Sequence, residues 1–266
     1  MRVRLDELLV QRACFATRAQ ARAAVMAGEV RVDGVVQTRP GTAVPIDAEL
    51  WVLPRRRYVS RGGDKLAHAL DTMGITVQGE SVCDLGSSTG GFVDCLLQRG
   101  AARVIAVDVG YGQLEWRLRQ DPRVHVLERT NAREITPDRL PFAPTFVTVD
   151  VSFISLTLAL GPVLECARPG YRGLALVKPQ FEAGRDKVGK GGVVRDPAVH
   201  HDVLLRIAMW LQGRGAIVTG LCDSGHPGPK GNVEYFFAFC DPRGGSGATP
   251  IDVPRAVTAA VGAVLG

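Results

Sequence analysis

Apolar positions change their spacing twice along this chain. Within residues 3–53, Leu5, Leu8 and Leu9, then Ala21, Ala24 and Val25, recur at the i, i+3, i+4 interval of one helix face. The spacing predicts two short amphipathic helices. Thr17 stands where a side-chain oxygen can cap the second helix, and Gly28 stands where a glycine can end it. Val30-Arg31-Val32 and Val35-Val36 then flank Asp33-Gly34, a dipeptide favoured in tight hairpins. The front unit therefore reads as helix, helix, small hairpin.

From residue 81 the pattern shifts to short apolar runs bounded by turns: Ser81 to Gly86, Arg103 to Asp108, Val124 to Glu128, Thr145 to Val151 and Gly173 to Lys178. Helical patterns separate them, which predicts parallel strands joined by right-handed crossovers. Two later runs, Ala216 to Cys222 and Val233 to Cys240, are joined only by the glycine and proline loop Ser224 to Gly231. So short a loop joins antiparallel neighbours. The expected architecture is α/β, a Rossmann-like sheet of seven strands, the last antiparallel, with helices on both faces. The longest apolar run, Phe146 to Leu164, contains Asp150 and Gly161-Pro162, so it reads as a buried strand entering a helix rather than as a membrane span.

Composition adds less. With 266 residues, 46% hydrophobic and 22% charged, the chain can hold one sizeable globular domain and a small one. The cysteines at 14, 83, 95, 166, 222 and 240 form no C-x-x-C pair, so they are expected to be buried free thiols, and no metal is expected. No apolar stretch follows the charged start Met1 to Glu7, which predicts a cytoplasmic protein. A net charge of +5 is a weak signal in itself, but the arginines cluster at the front. Arg12, Arg18, Arg22 and Arg31 punctuate the first unit, and Arg18 and Arg22 share a helix face suited to phosphates; the alternative is a solvated basic face. Arg55, Arg56, Arg57 and Arg61 then surround Tyr58 in a segment that is either a basic linker tracking RNA, with Tyr58 as a stacking or docking surface, or an ordinary solvated linker.

Two constellations suggest chemistry. The first is Cys83 to Phe92 followed by Arg103 to Asp108: strand, glycine turn, helix, and a second strand ending in an acid. Such a turn lets a ligand approach the backbone at a strand's carboxyl end, and the acid can bind ribose hydroxyls. Gly86-x-x-x-Gly90-Gly91 is not the G-x-G-x-x-G spacing of dinucleotide sites, which favours S-adenosylmethionine over NAD. Asp84, Gly86, Ser88 and Gly90, with Phe92 closing the turn, are expected on the methionine side and Asp108 on the ribose. Asn131 is either an adenine neighbour or a turn residue. The second constellation is Asp150 and Lys178, each ending an apolar strand run and facing one crevice, as a structural ion pair or a catalytic one.

Arg4-Leu5-Asp6, Thr17 to Ala21 and Gly28 to Gly34 closely resemble the S4-type RNA-binding module. That resemblance implies Arg4, Arg18, Arg22 and Arg31 as contacts to an RNA backbone, to which the linker adds Arg56 and Arg61. The remainder resembles the FtsJ-like ribose methyltransferases, whose Lys-Asp-Lys-Glu tetrad falls on Lys65, Asp150, Lys178 and Glu234. The joined motifs Ser-Arg-Gly-Gly-Asp-Lys-Leu, Asp-Val-Gly-Tyr-Gly-Gln-Leu, Glu-Arg-Thr-Asn-Ala-Arg, Asp-Val-Ser-Phe-Ile-Ser-Leu, Val-Lys-Pro-Gln-Phe-Glu and Gly-Asn-Val-Glu-Tyr-Phe are similar to those of the TlyA family over essentially the whole chain. Tyr58 departs from the tryptophan expected there in mycobacterial relatives.

The resemblance implies an S4-type domain over 1–54, a linker over 55–62 and a methyltransferase domain over 63–266. It further implies S-adenosylmethionine-dependent methylation of a cytidine ribose 2′-hydroxyl in ribosomal RNA, 16S, 23S or both, within ribosomal subunits. Lys178 would steer or deprotonate the hydroxyl, Asp150 would orient Lys178, and Lys65 and Glu234 would shape the pocket. Two other readings are a membrane-active haemolysin, a label the family has carried, and an RNA-binding assembly factor with an inactive methyltransferase fold. The stretch Gly184 to Gly192 is too glycine-rich for regular structure and is either a flap over RNA or a surface loop.

Overall fold

The computed structural model describes residues 1–53, 57–244 and 247–265, without the side chains of Arg185 and Pro229. It divides into two compact units, Met1–Arg56 and Arg57–Gly266.

In the first unit, helices α1 (Leu5–Gln11) and α2 (Arg18–Met26) pack Leu5, Leu8 and Leu9 against Ala21, Ala24 and Val25, all buried. Thr17 Oγ1 accepts from Gln20 N at 3.3 Å and so caps α2, and Gly28 past its end has φ +74°. The expected hairpin is present: β2 (Val30–Val32) pairs with β3 (Val35–Gln37), and Asp33 (φ 49°) and Gly34 (φ 78°) are both left-handed, as a type I′ turn requires. Three further strands of three residues each lie outside the expected helix, helix, hairpin. β1 (Arg2–Arg4) pairs with β4 (Ala43–Pro45), and β5 (Leu50–Val52) adds to the other edge of β2. Three residues are too few to show a period.

The second unit runs α3 (Arg61–Thr72), β6 (Ser81–Leu85), α4 (Gly91–Gln98), β7 (Arg103–Val107), α5 (Trp116–Arg119), β8 (Val124–Leu127), β9 (Phe146–Val149), α6 (Leu156–Cys166), β10 (Arg172–Val177), α7 (Pro179–Glu182), α8 (Pro197–Gly213), β11 (Ile217–Asp223), β12 (Tyr235–Cys240) and α9 (Val253–Leu265). Its sheet has the order β11-β12-β10-β9-β6-β7-β8. All pairs are parallel except those of β12, which enters antiparallel between β10 and β11. Apolar residues of β6, β7, β9 and β10 are fully buried against helices on both faces, which is why these strands read as unbroken hydrophobic runs rather than alternating ones. The run from Phe146 divides, as expected, into β9 and α6.

The chain builds outward from β6 to β7 and β8, then returns to place β9 on the other side of β6. This is the switch point at which doubly wound sheets open a crevice beyond their strand ends. Because β12 is antiparallel, its first residue, Tyr235, pairs with Val177 at the end of β10. The start of β12 therefore joins the ends of β6, β9 and β10 at one edge. Five cysteines are buried free thiols, but Cys14 is exposed, contrary to expectation. The stretch 184–192 is not wholly irregular either: Arg185–Lys187 forms a 3-10 turn, and Gly189 bridges to Val193.

Candidate active site

Two cavities open at the switch point and share walls at Gly86, Ser88 and Asp150. Gly86 has φ +82°, and a Cβ there would stand 2.3 Å from the Asp150 carbonyl oxygen. Glycine is what lets the ends of β6 and β9 lie this close.

The first cavity, of about 350 Å³, has apolar walls from Val107, Ala132, Val151 and Ala159, and Asp108 and Asn131 are among its polar members. Asp108 is fixed by backbone donors: Ser88 N reaches Oδ2 at 2.7 Å and Gly110 N reaches Oδ1 at 2.7 Å. Each oxygen keeps a further lone pair for a ligand hydroxyl. Asn131 lines the cavity and caps the 3-10 turn after it, accepting from Arg133 N at 3.1 Å, which is its expected turn role. Phe92 and Ser88 line the second cavity.

Two members of the expected cofactor set lie elsewhere. Gly90 (φ +96°) lines neither cavity; a Cβ there would strike Leu118, so this glycine serves the packing of α5. Asp84 is fully buried and also lines neither. Its Oδ1 accepts from Thr148 Oγ1 at 2.6 Å and its Oδ2 has no hydrogen-bond partner. Burial raises its carboxyl to about 7 against the pull of the Thr148 hydroxyl, and the nearby Asp150 and Asp108 push it the same way as burial.

The second cavity, of about 270 Å³, brings Lys65, Asp150, Lys178 and Glu234 together. They form two ion pairs: Lys65 Nζ to Glu234 Oε2 at 2.5 Å and Lys178 Nζ to Asp150 Oδ1 at 2.5 Å. Lys65 comes from the first turns of α3, Asp150 and Lys178 follow β9 and β10, and Glu234 precedes β12. The antiparallel strand thus brings in the second carboxylate. Glu234 is fully buried, and Gly228 makes room for it, since a Cβ there would come within 2.2 Å of Glu234 Oε1. Removing either partner of the Lys65 pair would leave a buried charge unmatched.

Three residues absent from the expected set complete this edge. Lys178 Nζ also donates to Ser152 Oγ at 3.0 Å, and Gln180 Nε2 donates to Glu234 Oε1 at 3.1 Å. Glu182 accepts from Leu156 N at 2.7 Å and from Ser155 Oγ at 2.9 Å. Burial raises its carboxyl. Phe153, left-handed at φ 64° and almost fully exposed, lies 4.9 Å from the Phe181 ring. The segments after β9 and β10 are therefore fastened at three successive levels: Asp150 to Lys178, Phe153 to Phe181, and Ser155 to Glu182. The one sequence signal for Gln180 and Glu182 is their place directly after Lys178-Pro179.

The arginines expected on RNA separate into classes. Arg4 donates twice to the buried Asp6, at 3.1 and 2.9 Å, and Arg18 reaches Asp6 at 3.3 Å and Glu7 at 3.1 Å. These two arginines neutralise acids of α1 and are not free charges. Arg22 is exposed with no ion pair among the described residues, and Arg31 lies over Trp51 at 5.3 Å. Arg61 stands exposed on the wall of the tetrad cavity. Arg56 lies outside the described residues. Tyr58 is buried, not a stacking surface: it packs on Gly63, while Val59 N donates to Asp94 Oδ2 at 2.9 Å.

The FtsJ-like methyltransferase family matches residues 58–240, and the S4 domain matches residues 3–50. The chain is 48% identical over 237 residues, 88% of each chain, to the 16S/23S rRNA (cytidine-2′-O)-methyltransferase TlyA of Mycobacterium tuberculosis. It is 50% identical over 234 residues to YqxC of Bacillus subtilis, described as a candidate rRNA methyltransferase, spanning 87% of this chain and 83% of that one. A solved structure from Streptococcus thermophilus, described as a candidate hemolysin, superposes with a TM-score of 0.74 at 39% identity, covering 98% of this chain and 95% of the other.

Proposed function

The chain belongs to the FtsJ-like methyltransferases of the TlyA family, with an S4 domain ahead of its catalytic unit, and we propose that it transfers a methyl group from S-adenosylmethionine to a cytidine ribose 2′-hydroxyl of ribosomal RNA. The observation that carries this reading is the pairing of Lys65 with Glu234 and Lys178 with Asp150 in a cavity that shares its wall with the Asp108 cavity.

The residues of the first cavity fit the cofactor. Its volume suits a small ligand, its apolar walls suit a flat base, the Asp108 carboxylate suits a ribose diol, and Asn131 offers an amide to the base edge. When bound there, S-adenosylmethionine supplies an already electrophilic methyl group. What the chain adds is placement. The Lys178 ammonium has three N–H donors, of which one meets Ser152, and the Asp150 carboxylate stands 2.5 Å away as its counter-charge, so a further N–H holds the acceptor oxygen. Holding that oxygen in line contributes on the order of several kcal/mol of barrier lowering. As the oxygen gains its methyl group, its proton passes to Lys178 once that side chain has given one of its own protons to solvent, and Asp150 orients Lys178 throughout. Lys65 and Glu234 keep the floor of the cavity rigid, and Arg61 at its wall meets the RNA backbone. Arg22 and Arg31 offer phosphate contacts on the S4 domain, and the proposed division of the chain remains 1–54, 55–62 and 63–266.

Among the described residues no helix is long and apolar enough to cross a membrane. The hemolysin in the description of the streptococcal structure belongs to that protein. Incubation of the protein with radiolabelled S-adenosylmethionine and unmodified ribosomal subunits, followed by mapping of the labelled nucleotide, tests the proposal. Label on a cytidine 2′-oxygen is the expected result. Subunit binding without incorporation would replace it with the inactive assembly-factor reading, and leakage from liposomes with neither would replace it with the haemolysin reading.

A further inference from the structure

Tyr111 stands on the loop between β7 and α5 with 68% of its surface exposed, and it belongs to none of the hydrophobic clusters of the unit. An exposed tyrosine on a loose loop would mean little. This loop is fastened at three points: Gly110 N donates to Asp108 Oδ1 at 2.7 Å, Arg129 N donates to the Gly110 carbonyl at 3.0 Å, and Gly112 N donates to Glu128 Oε1 at 2.9 Å. The side chain is therefore presented in a fixed place without being packed there.

Arg129 supplies the second observation. It is left-handed at φ 53°, a conformation that costs a non-glycine residue free energy and that persists where the surroundings impose it. Its guanidinium lies 4.2 Å from the centre of the Tyr111 ring, and it forms no ion pair among the described residues. A cation with no ion pair among the described residues thus backs one face of the ring, with the Glu128 carboxylate in its electrostatic reach. Val109 and Gln113, on either side of Tyr111 in the same loop, line the cofactor cavity, so Tyr111 stands between two residues of its wall without lining it.

Rigid presentation, an open ring face and a positive charge with no ion pair among the described residues together suit a partner that is flat and anionic. We propose that Tyr111, backed by Arg129, is a stacking platform for an unpaired base of the substrate RNA beside the acceptor nucleotide, with Arg129 facing the neighbouring phosphate. This rests on the RNA-methylation reading above. The adenine of the cofactor is the competing occupant.

The test compares the full-length protein with Tyr111→Ala, Tyr111→Phe and Arg129→Ala. Binding to unmodified ribosomal subunits is measured at fixed salt, and binding of S-adenosylmethionine alone is measured by calorimetry. Tyr111→Ala should weaken subunit binding about tenfold, within the range that base stacking on an aromatic contributes. Tyr111→Phe should stay within about twofold of the parent, and cofactor affinity should hold in all three variants. Unchanged subunit binding by Tyr111→Ala would overturn the platform. Lost cofactor affinity with subunit binding intact would overturn it too, assigning Tyr111 to the adenosine. A parent protein that neither binds nor methylates subunits would instead sink the functional reading, whatever the ranking of the variants.

Discussion

Where β6, β7 and β10 begin, charged side chains find several partners each; where the strands of the sheet end, some buried polar oxygens find none. At the first edge Arg172 donates to Glu80 at 2.7 Å and to the Thr76 carbonyl at 3.0 Å, and lies over the Phe146 ring. Arg103 donates to Ser81 Oγ at 2.9 Å and stacks on Phe142 at 3.8 Å. At the second edge Asp84, Asp150 and Gln180 each hold a buried oxygen without a hydrogen bond, and Asp150, one of the two ion-paired acids, lines both cavities. Backbone strain divides the same way. Among the described residues of the second unit, the non-glycine residues with positive φ are Ser88, Arg129, Phe153 and Lys230, and all lie in loops at this second edge. The difference teaches that burial alone does not mark a site. Incomplete satisfaction beside open space does.

If that contrast is right, equal truncations at the two edges should give unequal results. Lys178→Ala should lower kcat for methyl transfer by a hundredfold to ten-thousandfold while cofactor and RNA affinities hold, the range for losing a group that positions and moves a proton. Activity near that of the parent would end the assignment. Asp84 gives the next largest effect, and it is read by pH. The unfolded chain loses this proton near pH 4, whereas burial holds it in the folded chain to about 7. Stability contributed by the protonated form is therefore lost as pH rises from about 4 to 7, and levels off above that. In urea unfolding at pH 5 and pH 8, Asp84→Asn should gain on the parent at the higher pH, by at most roughly 4 kcal/mol across the whole window. A gap independent of pH would show that Asp84 is ionised throughout.

Glu182→Ala should release the segments after β9 and β10 from each other. We expect kcat about tenfold lower at unchanged cofactor affinity, since small misplacements at a reacting centre are costly; Glu182→Gln, which keeps one acceptor, should fall between. Equal loss of kcat and of cofactor binding would point to general loosening. Smallest of all, Arg172→Ala at the opposite edge removes a partly exposed pair, and thermal unfolding should report a loss of about 1 kcal/mol or less with kcat unchanged. A catalytic defect there would break the comparison.

The seven strands were legible because strands covered on both faces must be apolar throughout, and the last two were legible as antiparallel because their loop is short. The insertion of β12 between β10 and β11 was not, since no residue in either strand records its neighbour. Lys65, Asp150, Lys178 and Glu234 could be named from motif resemblance, and the structure brings them into one cavity. Glu182 was hidden because one of its partners is a backbone N–H 26 residues away, an interaction that leaves no mark on side-chain pattern. Asp84 misled for a related reason: its place before a glycine turn suggests a ligand, but its side chain turns instead toward Thr148 on β9. The ion pairs of Arg4 and Arg18 were not legible, because the S4-type motif does not show that Asp6 is buried beside them.

The tetrad's first and last members are separated by 169 residues, and Glu234 reaches the cavity only when β12 slots between two strands already named in the chain before it. During synthesis, Lys65, Asp150 and Lys178 leave the ribosome early, yet Lys65 lacks its counter-charge until nearly all of the chain has emerged. A nascent or truncated copy can therefore build most of the sheet and still lack a competent site.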